Sequence, residues 1–580
     1  MGKRVVIIGA VALGPKVAAR VKRLDYAAEV TVVDRDSLIS YGGCGIPYFV
    51  GGDVQEIEGL CMTSANVLRD CNFFKNAKGV DVQTRTEVLS IDRKAGLVHV
   101  RHLSDNTESD LPYDKLVIAT GGMPVIPPLP GINLPGVSVV SNLHHAQLIK
   151  SRLAGGKIDR AVVIGGGAIG LEMAEAVTDL WGVKITLVEK MDQLLPQAFS
   201  RDMSQIIQNH MEEKGVDIHL SESVLRIIGD PETGVQAVET DAGQIPCDLV
   251  ILAVGVRPNM QLAKEAGLAI GERGGISVDE WMRTTDPDIY AGGDCVELTH
   301  LISGRKVHMP LGSLANRQGR IIGTNVMGGD DRFRGTVGSF CLKVFDLGVA
   351  RAGLTYSQAA ECFDPVQTVV VQADRAHFFP TQKPMYLKLI ADRGSRRILG
   401  IEAMGQQGDA VKARVDAVAA AMSLGATIDI ISNLEVAYAP PYASAMDIVN
   451  AAANSLDNIL AGYQDSIDME TFLQNFKNGN GRVLDLRSRE NAAPLLKKYP
   501  GRWLNIPQEE LAGRLDEIPE DTALNLICGS GARSYEAQRL LGFNGHSHTR
   551  NVQGGIGLLK ATNPEFFSEK HISGGSSVQD

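Results

Sequence analysis

RAVVIGGGAIGLEMAEAVTDLWGVKITLVEK, Arg160 to Lys190, reads as an apolar strand, a glycine turn, a helix, a second strand and an acid. Gly165, Gly167 and Gly170 fill the three places of a GxGxxG fingerprint, and Glu189 closes the second strand. Each part has a physical reason. The glycines let backbone approach a pyrophosphate, the helix N-terminus offers N–H groups and positive dipole, and the acid accepts hydrogen bonds from a ribose. One GxGxxG is a weak signal. The same order recurs at the start of the chain, in RVVIIGAVALGPKVAARVKRLDYAAEVTVVDRD, Arg4 to Asp36. There Gly9 and Gly14 hold the first and third places, Val11 stands in the middle, and Asp34 ends the second strand. Two such units predict two parallel α/β sheets, each built around a dinucleotide.

The bulk numbers agree. At 580 residues the chain is too long for one core, and roughly three to five domains are expected. A formal net charge of -11 argues against nucleic acid or an anionic membrane as partner. The opening MGKRVVIIGAVALG has the outline of a signal peptide, but a buried strand entering a glycine turn explains the same letters and also accounts for Asp34. No run reaches the ~18 apolar residues needed to span a bilayer. The eight cysteines include no CxxC pair, so no zinc site is indicated, and their scatter fits a reducing cytoplasm.

Three further stretches belong with the two units: KLVIATGG (Lys115–Gly122), DLVILAVGVRPN (Asp248–Asn259) and TTDPDIYAGGDC (Thr284–Cys295). Each reads as a buried strand running into a glycine corner. Their order resembles the two-dinucleotide flavoprotein disulfide reductases. That resemblance implies FAD on the first unit and the AGGD strand, and NAD(P)H on the inserted second unit. By it, Thr120, Gly121, Gly255 and Asp294 contact the cofactors. PLGSLANRQGR (Pro310–Arg320), with Ala315, starts a helix aimed at the flavin.

SYGGCGIPYFVGG (Ser40–Gly52) sets a single cysteine, Cys44, among glycines. Position 49, where a CxxxxC pair would have its second thiol, is Phe49. A lone thiolate can still pass through a mixed disulfide or a sulfenic acid. The surrounding residues resemble coenzyme A-disulfide reductases and the related NADH-dependent persulfide reductases. Lys16, Arg20 and Arg23 share one face of the first helix. Spacing alone fits either a solvated stripe or a grip on phosphates. The resemblance implies that Arg20, Arg23, Ser40 and Gly43 line a coenzyme A pocket. Gly43 stands where those enzymes often have Asn, and HFFP (His377–Pro380) where they often have a Tyr pair. NLEVAYAPPYASAMDIVN (Asn433–Asn450) is similar to the family's dimerisation signature. It implies a homodimer in which Tyr438 reaches toward the other copy's cysteine, with Tyr442 beside the substrate.

A new α/β pattern begins near Ser466. GRVLDLRSREN, ALNLICGSGARSYEAQRLLGFNG and NVQGG resemble rhodaneses, with Cys528 and Arg533 in the active-site loop. Curled loops of this kind aim several N–H groups at one sulfur. Phosphatases with CxxxxxR loops share that geometry; the C-x4-R spacing here is shorter by one, which favours sulfur over phosphate chemistry.

The expected fold is α/β: a two-dinucleotide-binding-domain flavoprotein with an α+β dimerisation domain and a C-terminal rhodanese-like α/β domain. The expected boundaries are an FAD domain at 1–125 and 249–330, an NAD domain at 126–248, a dimerisation domain at 331–455, a linker at 456–466, a rhodanese domain at 467–565 and a tail at 566–580. The resemblance implies FAD, NADH in preference to NADPH, and coenzyme A. The implied activity is reduction of coenzyme A disulfide, coenzyme A persulfide or polysulfide through Cys44, with sulfane-sulfur transfer at Cys528. An NADH oxidase or peroxidase working through a Cys44 sulfenate, and a flavin redox sensor whose rhodanese domain docks a partner, are the alternatives.

Overall fold

A computed structural model describes residues 2–519 and 523–568. Its contacts separate into two units, one taking in the chain to Leu195 and Glu212–Gly338, the other Pro196–Met211 and the chain from Ser339. The expected tail beyond residue 568 lies outside the described residues.

The first unit carries the duplicated plan. One all-parallel sheet orders its strands Ile289–Ala291, Lys115–Ile118, Arg4–Ile8, Glu29–Val33 and Asp81–Gln83. The other orders Asp217–His219, Lys184–Val188, Arg160–Ile164, Leu249–Leu252 and Val137–Val139, again all parallel. The central strands RVVII and RAVVI are covered on both faces, so they read as continuous apolar runs. The strand Leu249–Leu252 pairs with Arg160–Ile164, so the second nucleotide domain ends after Leu252 and not at 248. Its entry and exit are tied by Gly122–Pro124 pairing antiparallel with Val256–Pro258.

In the second unit a five-stranded antiparallel sheet runs Phe340–Val344, Leu347–Gly353, Ile398–Gly405, Pro384–Asp392 and Pro365–Ala373. Helices Gly408–Met422 and Ile448–Leu460 pack on it. They are pinned by a buried ion pair in which Arg414 Nη2 stands 2.8 Å from Asp447 Oδ2. The segment Pro196–Met211, expected within the nucleotide domain, clusters here instead. Buried Glu402 accepts from Ser200 N at 2.9 Å and Oγ at 2.7 Å, and buried Lys388 meets Asp202 at 2.5 Å. Leaving those charges unpaired in the core would be costly, so the segment follows its partners.

The C-terminal part is a parallel sheet ordered Ser466–Ile467, Thr549–Val552, Leu524–Ile527, Arg482–Asp485 and Trp503–Asn505. The expected linker is shorter than 456–466. The helix runs to Leu460 with Leu456 fully buried, and the first strand begins at Ser466. Packing also passes residue 565: Phe566 joins Phe476, Tyr499 and Trp503 in one aromatic cluster.

A Cβ built at Gly170 would lie 1.9 Å from Gly165 O, whereas one at Gly167 meets nothing within 4 Å. Gly170→Ala should therefore cost about 1–3 kcal/mol and lower Tm by several degrees, while Gly167→Ala should leave Tm within about 1 °C. Thermal melts of the two variants check this; equal Tm values would show that the turn relaxes.

Candidate active sites

The two glycine turns are built alike. Gly9 has φ +110° and Gly165 φ +111°, and added Cβ atoms would strike Ala119 O at 2.2 Å and Ala253 O at 2.5 Å. At the helix start, a Cβ on Gly14 would lie 1.9 Å from Gly9 O, matching Gly170. The two acids also match. Asp34 accepts from Ala10 N at 2.7 Å and from Asp36 N at 2.9 Å. Glu189 accepts from Gly166 N at 2.6 Å and from Met191 N at 2.7 Å. Each acid therefore braces the glycine turn from the neighbouring strand. Burial pushes the Asp34 carboxyl up, against the pull of its backbone N–H donors.

Other residues expected around the cofactors divide by role. Gly121 and Gly255 have positive φ and open space where a Cβ would be, as Gly167 has open space. The Thr120 hydroxyl donates to Asn259 O at 2.6 Å and so ties the two crossing strands. Asp294, raised by burial with His308 pulling the other way, sits in the turn after Ile289–Ala291. Ala315 is buried against Gly293. Gln318, unmarked in the sequence reading, accepts from Gly293 N at 2.7 Å, and its buried Nε2 has no protein partner. An orphaned buried donor and three glycine-lined openings fit a large polar cofactor.

Cys44 is an exposed thiol in the turn Gly43–Gly45, just before the helix Ile46–Val50. A Cβ at Gly312, the first residue of the Gly312–Val326 helix, would lie 3.6 Å from its Sγ. Loss of solvent on its inner side pushes the thiol up, then Glu172 and Asp294, while N–H groups of Cys44 and Gly312 pull it down. Elements far apart in sequence thus meet at one sulfur. Ser40, four residues earlier, is buried with φ +52°, a left-handed backbone held by its N–H donating to Ala10 O at 2.7 Å. Gly43 is exposed. Lys16 and Arg23 are exposed, and Arg20 Nε donates to Thr324 Oγ1 at 3.1 Å.

Glu172 was also missed in the sequence. It lies on the Ala168–Trp181 helix, which packs on the helix after Cys44: Trp181 Nε1 donates to Val50 O at 2.9 Å, and a Cβ at Gly51 would touch Ala176.

In the second unit Cys528 is fully buried at the end of the Leu524–Ile527 strand. Its Sγ accepts from Gly531 N at 3.1 Å, with Ser534 Oγ at 3.4 Å and Asn551 Oδ1 2.7 Å beyond that hydroxyl. The carbonyls of Cys528 and Gly529 are held from outside by Ile556 N and Gly557 N, both at 2.8 Å. That fixes the peptide planes at the start of the loop whose Gly531 N–H faces the sulfur. Gly555 makes this possible, since a Cβ there would lie 2.4 Å from Cys528 O. Arg533 is exposed at the mouth of the loop. Tyr438 and Tyr442 are exposed, at 51% and 73%, on a loop anchored by Ala376 N donating to Pro440 O.

Burial, then Glu175, pushes the Glu172 carboxyl up to about 7 from its ordinary 4.5. Between those values the folded chain keeps a proton that the unfolded chain has lost, so stability falls as pH rises from 4.5 through 7. Glu172→Gln removes that loss. Its Tm should exceed wild type by about 1–3 °C above pH 7 and match it near pH 4.5. A Tm difference independent of pH would contradict this.

Comparison with known proteins agrees with this architecture. Residues 3–319 match the pyridine nucleotide-disulphide oxidoreductase family, and residues 340–449 match its dimerisation domain. The structure of an NAD-dependent persulfide reductase from A. fulgidus aligns with a TM-score of 0.90 at 39% identity, over 96% of this chain and 99% of that one. That of reduced Bacillus anthracis CoADR-RHD aligns with a TM-score of 0.89 at 32% identity, over 97% and 99%. The NAD(P)H sulfur oxidoreductase (CoA-dependent) of Pyrococcus abyssi is 35% identical over 446 residues, 77% of this chain and 96% of that protein. The expected α/β fold, with its two dinucleotide-binding domains, dimerisation domain and rhodanese-like domain, is the fold found. The chain belongs to the pyridine nucleotide-disulphide oxidoreductase family, as an oxidoreductase with a sulfurtransferase-like domain at its C-terminal end.

Proposed function

We propose that this chain, as a homodimer in a reducing cytoplasm, uses NADH to reduce coenzyme A disulfide, coenzyme A persulfide or polysulfide at Cys44. The observation that carries the reading is the placement of one solvent-open thiol at the start of the Gly312 helix, with Asp294 of the first nucleotide unit and Glu172 of the second both acting on it. FAD would be held by Gly9, Gly14, Asp34, Thr120, Gly121, Asp294 and Ala315. NADH would be held by Gly165, Gly167, Gly170, Glu189 and Gly255. Bound flavin supplies a two-electron relay between pyridine nucleotide and sulfur. Glu189 favours NADH, because its carboxylate repels a ribose 2′-phosphate; exposed Lys190 works against this only weakly.

The chain's own chemistry is thiol–disulfide exchange. The Cys44 thiolate attacks the coenzyme A sulfur of the persulfide, a mixed disulfide forms, and hydrosulfide leaves. Two electrons from NADH then cleave that disulfide, returning Cys44 to thiolate and releasing coenzyme A. The balance is persulfide + NADH + H⁺ → thiol + H₂S + NAD⁺. Tyr438 and Tyr442, exposed on their loop, are free to line the Cys44 pocket of a second copy. Cys528, in its ring of donors, accepts sulfane sulfur and passes it to a coenzyme A thiol, with Arg533 drawing in anionic donors. Fusion to the reductase raises the effective concentration of the new persulfide near Cys44.

Cys44→Ser should lower persulfide and disulfide reduction by more than about 10³-fold, with flavin content and its reduction by NADH retained. Turnover near the wild-type rate would refute the assignment. Cys528→Ser should spare reduction of preformed coenzyme A persulfide and slow turnover that starts from a sulfur donor, followed by NADH consumption and sulfide release. Equal donor-driven rates would leave the C-terminal domain without this role.

A further inference from the structure

The stretch SYGGCGIPYFVGG ends on Gly51 and Gly52, a pair that neither the thiol nor the nucleotide turns explain. Both glycines pack against one helix. A Cβ at Gly51 would lie 3.2 Å from Ala176 Cα, and one at Gly52, where φ is +86°, would lie 2.6 Å from Leu180 Cδ2. Ala176 and Leu180 stand four residues apart on the Ala168–Trp181 helix, and Glu172 precedes them at the same spacing. Residues so spaced share one face. The segment from Cys44 to Gly52 therefore lies along that face. Glu172 acts on the Cys44 thiol, Ala176 meets Gly51, and Leu180 meets Gly52.

The far end of the segment is fastened. Val50 O, one of the carbonyls that the end of the Ile46–Val50 helix leaves open, accepts from Trp181 Nε1 at 2.9 Å. Buried Phe49 lies under Lys150, whose Nζ stands 3.9 Å from the ring centre and donates to Gln55 O at 2.9 Å. A cation that covers a ring and bonds a carbonyl makes two favourable contacts at once. Lys150 is on the Leu143–Ala154 helix, so both fastenings come from the second nucleotide domain. The Cys44 segment belongs in sequence to the first domain, yet its latter half is held by the second.

The helix that receives it also starts at the Gly165–Gly170 turn, and its 14 residues span about 20 Å at 1.5 Å per residue. One rigid element thus carries the pyridine-nucleotide turn, the acid that acts on the thiol, and an anchor of the thiol's own segment.

We propose that Trp181 and Lys150 are positioning residues for Cys44, fastening its segment along the helix of the second nucleotide domain and so keeping the thiol beside Glu172. The inference rests on the reading of Cys44 as the reacting thiol. Loss of solvent, then Glu172 and Asp294, push that thiol up, while the N–H groups of Cys44 and Gly312 oppose them. Contact with the helix supplies Glu172 and part of the lost solvent; Asp294 comes from the first domain. Slackening the fastening should therefore admit water and draw Glu172 away, leaving more thiolate at a given pH. The same slackening should blur the place of the sulfur for electron transfer.

The test uses the full-length holoenzyme, freed of thiol adducts with dithiothreitol and desalted. Iodoacetamide is applied from about pH 6 to 10 and alkylation of Cys44 is followed by mass spectrometry. Exposed Cys362, in the other unit, is the reference. In Trp181→Phe, which keeps a ring but loses the N–H, alkylation of Cys44 near pH 7 should be about 3- to 10-fold faster than in wild type, through a lower pH midpoint. Its kcat for coenzyme A persulfide should fall about 3- to 10-fold with KM unchanged. Lys150→Met should behave alike, and Lys150→Arg, which can still donate to Gln55 O, should restore most of both. A rate raised at every pH with its midpoint unmoved would show exposure alone and overturn the proposal, as would variants that match wild type. The alkylation profile needs no substrate, so the two failures are separate: full turnover in Cys44→Ser would defeat the reading of Cys44 whatever the profile shows.

Discussion

A helix that begins against the carbonyl of the strand it follows has no room for a side chain at the crossing. In this chain that contact occurs twice, at Gly14 on Gly9 O and at Gly170 on Gly165 O, each 1.9 Å from where a Cβ would be. Everything in the first unit is arranged around it. The close start aims the N–H groups of the helix's first turn into the space above the sheet. The acid at the end of the adjacent strand, Asp34 or Glu189, then braces the turn through a backbone N–H, at 2.7 Å and 2.6 Å. The same carboxylates are thus already partners of the turn that a nucleotide would sit on. The turn and the ribose-binding position are one structural element.

This explains what the sequence made legible. Strand, glycine spacing and terminal acid are local, so both nucleotide units, the Cys44 turn and the Cys528 loop can be read from short stretches. Features that depend on distant partners could not. Pro196–Met211 lies in sequence between two strands of the second nucleotide sheet. It clusters with the other unit because Ser200 and Asp202 satisfy Glu402 and Lys388, 202 and 186 residues further along. Glu172 looks like an ordinary helix acid until the fold buries it near Cys44. Gln318 reads as a surface glutamine until its amide is found inside.

The boundaries that moved did so for a related reason. Apolar periodicity marks a strand but does not say which sheet receives it. Leu249–Leu252 is buried throughout, and its pairing with Arg160–Ile164 decides which domain receives it. Likewise the Ile448–Leu460 helix continues into the expected linker because Leu456 completes a buried stripe with Val449, Ala452 and Ala453.

The two sulfur sites differ in how the protein treats charge, and the difference follows from what each must do. At Cys528 the sulfur is fully buried and receives donors from Gly531 N and the Ser534 hydroxyl, on a loop whose carbonyls are held by Ile556 N and Gly557 N. Such a cup stabilises negative charge on sulfur whether it sits on a thiolate or one atom further out on a persulfide. It therefore suits a group that stores a sulfur atom. At Cys44 the thiol is exposed, yet partial loss of solvent, then the carboxyls of Glu172 and Asp294, push it up, and the N–H groups of Cys44 and Gly312 oppose them. Those carboxyls disfavour a thiolate left without compensation. Lys16 and Arg20, which pair with no carboxylate among the described residues, lie on the Leu13–Leu24 helix, packed beside the Gly312–Val326 helix that begins at this sulfur. An exposed thiol so flanked is held back from its reactive thiolate form until other groups compensate that charge.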